Sequence, residues 1–231
     1  YRVISQSKIY ESQSVIIATG GKSIPKIGAT SFGYDVAKNF GLKIVQPKPA
    51  LVPLTFDGET GNQLKALAGI AIDVRIECAE IQFEEALLFT HRGLSGPAVL
   101  QISSYWNHGQ KIIVDLLPGI NFFVALKTAK DKSPKQKVKS FLEGFLPNRQ
   151  ASSIASEINL PDQFANTPVK LLRTLSDHVN RWQLLPSGDE GYRTAEVTKG
   201  GVSTSDMSSK TMESLNVPGL YFIGEVVDVT G

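Results

Sequence analysis

Two short apolar runs lie near the two ends of the chain, and each is followed by glycine. Val15–Ala18 precedes Gly20 and Gly21, and Leu220–Ile223 precedes Gly224. Continuous apolar runs of this length are typical of strands buried on both faces, as in a parallel sheet. We therefore predict that the two runs are neighbouring strands of one parallel sheet, with the rest of the chain inserted between them.

The sequence between these runs changes its pattern twice. Up to position 47 it alternates strand, turn and helix, which is typical of α/β folds. From Pro47 onward short strand patterns recur, and Ile70–Glu77 alternates strictly between apolar and polar residues, as a half-buried antiparallel strand does. Recurrent short strands indicate a barrel or a sandwich. The period becomes helical at about Asn121 and returns to strands at about Trp182.

These changes predict an α/β fold with an inserted β-barrel and a small helical domain. We assign a partial Rossmann-like domain to 1–47 and 200–231, a β-barrel-like domain to 48–118 and 182–199, and a helical insert to 119–181. A polar turn is expected at 11–13, and Ser95 is the expected N-cap of a helix. The predicted strands are 1–5, 14–18, 43–45, 51–56, 70–77, 81–83, 86–90, 111–115, 182–185, 193–198 and 220–223, and the predicted helices are 31–40, 98–105, 122–130, 135–145, 150–158 and 168–179.

Composition narrows the class of protein without naming a function. The 231 residues carry a formal net charge of +2, which neither favours nor excludes a polyanionic partner. The single cysteine, Cys78, excludes an internal disulfide and is typical of a reducing compartment. No apolar run is long enough for a membrane span and the first residues do not form a signal peptide, so we expect a cytoplasmic protein. Because the chain begins at Tyr1 in a strand pattern and stops soon after another, we interpret it as a fragment.

The two glycine turns are the first candidates for a binding site. Ligands of open α/β sheets bind at the carboxyl ends of the strands, and glycine lets a backbone approach a ligand closely. The carboxylate of Glu225 could accept hydrogen bonds from a sugar or ribityl hydroxyl. Taken alone, the first pattern is better explained as a strand that ends in a tight turn, and the second is only suggestive of a binding site.

Taken together, the two ends and several internal motifs resemble the HI0933-like family. This is a family of NAD(P)/FAD-dependent oxidoreductases of the BaiN/RdsA and aminoacetone-oxidase types. The resemblance covers nearly the whole chain and is weakest at about 119–180. The motifs that carry it are Pro49–Leu54, Thr90–Pro97, Ala195–Val202, Thr211–Ser214 and Gly219–Gly231.

The resemblance implies an FAD-binding Rossmann-like domain that a barrel and a helical domain interrupt. Members of the family open with a glycine-rich turn that holds the FAD pyrophosphate, and no G-x-G-x-x-G occurs in this sequence. We therefore expect FAD in the full-length parent, and weak or no FAD binding and no activity in this fragment.

Motif positions assign the cofactor contacts that the resemblance implies. The expected cofactor-binding residues are Thr19, Gly20 and Gly21 on the adenosine side, Gly224 and Glu225 at the ribityl chain, Asp228 and Gly231 at the flavin end, and Gly200 and Gly201 beside the isoalloxazine ring.

Catalytic residues have a weaker signal. His91 and Arg92, in a glycine-rich turn, are candidates for a proton donor or an anion-binding group, and a structural role in the turn is an equal alternative. We expect His178 to be a surface or hydrogen-bonded residue of a helix and Cys78 to be a packing residue. No metal site is expected. The basic run from Lys127 to Lys139 could contact nucleic-acid phosphates, but a solvated helix face explains it better.

The leading functional hypothesis is hydride transfer between FAD and an organic substrate. The expected reaction is reduction of an activated C=C bond, in an enone-like small molecule or in a uracil base of RNA, with NAD(P)H as the candidate electron donor. The alternatives are amine oxidation of the aminoacetone type and a non-catalytic nucleic-acid-binding module. The sequence leaves the oligomeric state open.

Overall fold

The computed structural model describes residues 1–229, so Gly231 lies outside the described residues. Its strands, in chain order, are β1 (Arg2–Ser5), β2 (Lys8–Glu11), β3 (Val15–Ile17), β4 (Ile44–Ala50), β5 (Leu54–Thr55), β6 (Ala71–Cys78), β7 (Ile81–Phe89), β8 (Gly93–Ser95), β9 (Ile112–Asp115), β10 (Trp182–Leu184), β11 (Gly188–Asp189), β12 (Val197–Val202) and β13 (Leu220–Phe222). Its α-helices are α1 (Phe32–Asn39), α2 (Gly58–Ala66), α3 (Pro97–Ser103), α4 (Phe122–Lys132), α5 (Val138–Leu142), α6 (Asn148–Glu157) and α7 (Val169–Asn180).

The chain divides into two compact units. The first unit combines Tyr1–Val52 with the segment that begins at Glu190, and the second unit is the continuous segment Pro53–Asp189. Each unit has its own cluster of buried apolar side chains. The division into three domains that the sequence predicts stays a prediction.

The first unit contains the parallel strand pair that the two apolar runs predict. β3 pairs in parallel with β13, and Ile17 lies opposite Phe222 in the register. α1 covers this pair, because Tyr34 and Ala37, one turn apart, are both buried in the same core. β12 pairs with β4 in an antiparallel ribbon. The predicted neighbourhood of the two chain ends is therefore confirmed.

The second unit is built on one seven-stranded antiparallel sheet. The strand order is β10-β9-β6-β7-β8-β5-β11, so β10 and β11 are its two edges. A barrel requires its first and last strands to share hydrogen bonds, and here the edge strands have only three and two residues. The described residues therefore form no closed barrel, which corrects the prediction. α3 to α7 belong to the same apolar cluster as the sheet.

Several predicted elements differ from the structure for local reasons. Residues 8–11 form the missed strand β2, which pairs with β1 through a second turn at Gln6, so the polar turn expected at 11–13 is reduced to a bend at Gln13. The helix α2 was missed because only Leu64 of its nine residues is buried, which leaves no apolar period to detect. Ser95 belongs to β8, and Gly96 is the N-cap of α3.

Other element boundaries differ because pairing with distant strands outweighs the local signals, such as proline, that predict the end of a strand. Two predicted strands, 81–83 and 86–90, are one strand, β7, which pairs with β6 from Ile81 to Leu88. β4 continues through Pro47 and Pro49 because β12 pairs with it. The helix predicted at 135–145 is reduced to α5, and the strand predicted at 193–198 begins only at Val197.

Candidate functional site

The carboxyl ends of β3 and β13 place the two glycine turns side by side in the first unit. Gly20 and Gly224 have φ values of 71° and 76°, in the left-handed region that favours glycine. A Cβ built on either residue would have no atom of the described chain within 4 Å. Both turns are therefore open backbone at the edge of the sheet where ligands of parallel sheets bind.

Glu225 joins the two turns to a third segment. Its Oε2 accepts a hydrogen bond from the backbone N–H of Gly21 at 3.1 Å, and its Oε1 accepts one from the backbone N–H of Thr198 at 3.0 Å. Bonds of this kind to a carboxylate are stronger than those between neutral groups. Because each carboxylate oxygen has a second lone pair, the predicted contact of Glu225 with a ribityl hydroxyl stays a prediction.

Thr198 is a second polar residue of the site, and no local sequence pattern marks it. Its Oγ1 accepts hydrogen bonds from the backbone N–H groups of Lys22 at 2.8 Å and Ser23 at 3.2 Å, and the residue is completely buried. A threonine in a strand pattern carries no local signal for such a role. Its position inside the family motif at 195–202 is the one hint that the sequence offers.

Gly21 differs from Gly20 and Gly224 in what surrounds it. A Cβ on Gly21 would overlap Oε2 of Glu225 and lie 2.6 Å from Oγ1 of Thr198. The glycine is therefore required by packing inside the protein. Of the three glycines in the two turns, Gly21 is therefore packed against the protein, whereas Gly20 and Gly224 face open space.

Gly200 and Gly201 are also explained by internal packing. A Cβ on Gly200 would lie 2.6 Å from the carbonyl oxygen of Gln46, and a Cβ on Gly201 would lie 2.5 Å from that of Val226. Both glycines are buried at an irregularity in the pairing of β12 with β4. Their predicted approach to a flavin ring stays a prediction, as does the contact of Asp228, whose side chain is half-buried and whose N–H donates to the carbonyl of Val202 at 2.8 Å.

Tyr34 of the first unit has a buried hydroxyl that no sequence pattern predicts. It is 2% exposed, and its hydroxyl has no hydrogen-bond partner among residues 1–229. Burial, together with the charges of Glu225 and Tyr192, raises the pKa of Tyr34 to about 12, so the hydroxyl stays protonated. A buried hydroxyl without a partner costs free energy, and most such groups in proteins are paired.

The site fits part of the FAD that the family resemblance implies. Two open glycine turns end adjacent parallel strands, and one buried hydroxyl lacks a partner. A dinucleotide offers sugar and phosphate oxygens that approach backbone closely and accept hydrogen bonds. The residues present therefore fit part of such a ligand.

His91 and Arg92 lie in the second unit, at the tip of the hairpin between β7 and β8. Thr90 holds this tip: its N–H donates to the carbonyl oxygen of Gly93 at 2.8 Å, and its Oγ1 accepts from the N–H groups of Arg92 and Gly93. Both candidate side chains are exposed. The turn does not depend on the imidazole of His91, and the catalytic role stays a prediction.

His178 lines a small pocket of the second unit together with Trp182 and Glu157. It stacks on Trp182 with ring centroids 5.2 Å apart, and its Nδ1 is 3.7 Å from a carboxylate oxygen of Glu157. Burial lowers the pKa of His178 to about 4, so this contact is not an ion pair at neutral pH. Burial, and then the charge of Glu59, raises the pKa of Glu157.

Cys78 and the acidic and histidine side chains of the described residues show no sign of a reactive thiol or a metal site. Burial, and then the charge of Glu77, raises the pKa of Cys78, which keeps it a thiol. Within residues 1–229, no group of three or more His, Cys, Asp or Glu side chains could hold a metal ion. Across the same residues, every helix is too short or too polar to cross a bilayer.

Comparison with known proteins gives a family and several relatives. A family model described as the HI0933-like protein barrel and H2TH domain matches residues 48–197. The chain is 47% identical over 225 residues to the ribosomal RNA dihydrouridine synthase of Haemophilus influenzae, and 45% identical over 221 residues to that of Escherichia coli. It is 27% identical over 242 residues to the 3-dehydro-bile acid delta(4,6)-reductase of Clostridium scindens.

These alignments cover the chain and its relatives unequally. In the same order they include 96%, 95% and 96% of this chain, and 56%, 55% and 58% of the relatives. The chain therefore spans about half the length of the curated relatives it matches.

Proposed function

The chain belongs to the HI0933-like family, and from this premise we propose that the longer protein it forms part of is a flavin-dependent oxidoreductase that reduces a carbon–carbon double bond. The names of all three relatives describe such a reduction, since dihydrouridine is uridine with its 5,6 double bond saturated. The two relatives of higher identity act on ribosomal RNA, which favours a uracil base of RNA over a small enone as the substrate.

One structural observation supports the cofactor more than any other. The parallel pairing of β3 with β13 brings two glycine turns together at one sheet edge, and both turns face open space. Flavin bound there supplies the hydride that saturation of a double bond requires. NAD(P)H is the proposed source of the electrons.

The residues of the first unit divide into those that would contact the cofactor and those that hold the turns. Gly20 and Gly224 leave room for phosphate and ribityl oxygens, and the protonated hydroxyl of Tyr34 offers a hydrogen bond. Glu225 and Thr198 accept backbone N–H groups and keep the turn at 21–23 in one conformation. Such fixed backbone lowers the ordering cost of binding.

A reduction of this kind also consumes one proton. His91 and Arg92 are the proposed candidates in this chain for supplying it or for binding the substrate, as the motif position of their turn implies.

The proposal is tested by a pair of matched glycine substitutions in the longer protein. Gly224 and Gly41 have φ values of 76° and 77°, and a Cβ on either would have no described atom within 4 Å. Gly224→Ala and Gly41→Ala should each cost about 1 kcal/mol of stability from backbone strain. Only Gly224→Ala should also lower the flavin content of the purified protein, measured by visible absorbance after gel filtration.

Two results would contradict the proposal. One is a folded longer protein without flavin absorbance. The other is equal flavin content in the two variants. The substrate is tested separately by incubating the reduced protein with ribosomal RNA and measuring by mass spectrometry whether a uridine gains two hydrogen atoms, with an enone as the competing substrate.

A further inference from the structure

Positive charge is concentrated in one part of the second unit. Residues 119–181 contain ten Lys and Arg against five Asp and Glu, whereas the rest of the chain contains 14 against 17. The small net charge of the whole chain is therefore the sum of a basic segment and a slightly acidic remainder.

Three of the six lysines in the basic run from Lys127 to Lys139 already have partners within the chain. Nζ of Lys130 donates to the carbonyl oxygens of Phe164 at 2.9 Å and Thr167 at 2.6 Å. Two further lysines of the run form ion pairs, Lys137 with Asp162 at 3.4 Å and Lys139 with Glu143 at 3.6 Å. The linear run is therefore a poor guide to the charge that is available to a partner.

Lys127, the first lysine of that run, lies on the surface that α4 forms together with α7, where α7 contributes two further cations. The guanidinium of Arg173 on α7 lies over the ring of Phe123 on α4, 4.3 Å from the centroid. Lys127 follows Phe123 by one turn of α4, and Lys170 precedes Arg173 by one turn of α7, so helical spacing puts both on this side. We call Lys127, Lys170, Arg173 and Phe123 the α4–α7 surface.

The three cations of this surface have no acidic partner in the described part of the chain. Asp131 and Asp177 lie one turn away from Lys127 and Arg173 on their own helices, but neither is within salt-bridge distance. The first turn of α7 contains no acidic residue. Like charges that converge without counter-charges repel one another, and an anionic partner relieves that repulsion.

We propose that the α4–α7 surface binds the phosphate backbone of RNA. This inference rests on the proposed function, in which RNA carries the substrate base. Lysine binds phosphate as a point charge, and arginine held flat on an aromatic ring presents its remaining N–H donors in a fixed plane. Contacts of this type position RNA without reading its sequence.

The test is binding of an RNA stem–loop with a uridine-rich loop, measured by filter retention over a range of salt concentrations. The surface variant carries Lys127→Gln, Lys170→Gln and Arg173→Gln. The control variant loses three exposed lysines elsewhere and has the same net charge: Lys8→Gln, Lys38→Gln and Lys65→Gln. Loss of three phosphate contacts should reduce the slope of log affinity against log salt by about 2 and weaken binding roughly tenfold or more at low salt, in the surface variant alone.

Other outcomes overturn the inference. These are equal losses in the two variants, or an unaltered chain that binds the stem–loop no better than a neutral protein does. If the triple variant folds poorly, the double variant Lys127→Gln, Lys170→Gln leaves the Arg173–Phe123 contact intact and should reduce the slope by more than 1.

The same substitutions in the longer protein separate this inference from the proposed function. The surface variant should keep its flavin absorbance. RNA binding that depends on the surface in a protein without flavin would contradict the proposed function alone. If the protein retains flavin and the surface variant binds RNA as tightly as the unaltered protein does, this inference alone would be contradicted.

Discussion

Different interactions stabilise the interior of each of the two units. The second unit is one continuous segment, and its buried cluster runs from the antiparallel sheet through the helices that follow it. The first unit is assembled from two segments far apart in the sequence, and its parallel sheet has two strands among residues 1–229. Ile16 and Phe32, which line a pocket beside β3, remain 60% and 59% exposed.

This difference shows which interactions matter most in each unit. The second unit has the larger cluster of buried apolar side chains. In the first unit the buried cluster is smaller, and polar contacts between residues far apart in sequence, centred on Glu225 and Thr198, join its segments. We therefore expect core substitutions to act mainly on the second unit and polar substitutions mainly on the first.

The largest effect is expected from Phe122→Ala in the second unit. Phe122 is completely buried and contacts Phe145 edge-on, with centroids 5.4 Å apart. Removal of a buried phenyl ring should lower the free energy of unfolding by about 4 kcal/mol, measured by urea titration. Phe32→Ala in the first unit removes a ring that is 59% exposed, and it should cost less than about 1 kcal/mol. Equal costs would contradict the comparison.

The next largest effect is expected from Glu225→Ala in the first unit. The substitution removes the acceptor of two backbone N–H groups, those of Gly21 and Thr198, and should cost about 3 kcal/mol. Glu225→Gln keeps one acceptor oxygen and should cost about half as much. Hydrogen exchange should show faster exchange of these two amides and little change in β6 and β7. Unchanged protection of both amides would show that the carboxylate does not hold the turns.

The comparison also explains what could be predicted from the sequence. The parallel pair was predictable because both of its strands are continuous apolar runs, a pattern that each strand carries by itself. The open or closed state of the sheet was not, because it depends on whether β10 and β11 meet, and nothing in either short strand encodes its partner. α2 escaped prediction for a related reason, since burial of Leu64 alone leaves no period.

The candidate site was predictable to a similar extent. Glycine after an apolar strand is a local pattern, so Gly20 and Gly224 could be named from sequence. Thr198 and Tyr34 owe their surroundings to residues from other segments, such as Lys22 and Glu225. The residues next to them in the sequence give no sign of this. The same limit applies to the α4–α7 surface, because Lys127 and Arg173 are brought together only by the packing of two helices.

A smaller, pH-dependent effect is expected from His178 in the second unit. Because burial lowers the pKa of His178 to about 4 in the folded state, from 6.5, the unfolded chain binds its proton first as the pH falls. The stability that the neutral ring contributes is fully present above pH 6.5 and is lost as the pH falls towards 4, with about 2 kcal/mol already lost at pH 5.

His178→Phe isolates this contribution because it keeps an aromatic ring stacked on Trp182. The variant should lose less stability than the unaltered chain between pH 7 and pH 4, measured by thermal unfolding. Glu157 works in the opposite direction, because its raised pKa gives stability at low pH that is lost as the pH rises. Both proteins retain Glu157, so the difference between them reports the histidine. Parallel pH profiles would show that His178 is not titrating in this window.

The smallest effect on stability is expected from Tyr34→Phe in the first unit. The hydroxyl that the substitution removes is buried and has no partner among residues 1–229, so its loss should change the free energy of unfolding by less than about 0.5 kcal/mol, or raise it. In the longer protein the same substitution should lower flavin affinity, measured by dilution and filtration, because the proposed cofactor supplies the missing acceptor. A clear loss of stability without a change in flavin affinity would assign the hydroxyl to the protein interior, and the open turns of the first unit would then have to bind the cofactor without it.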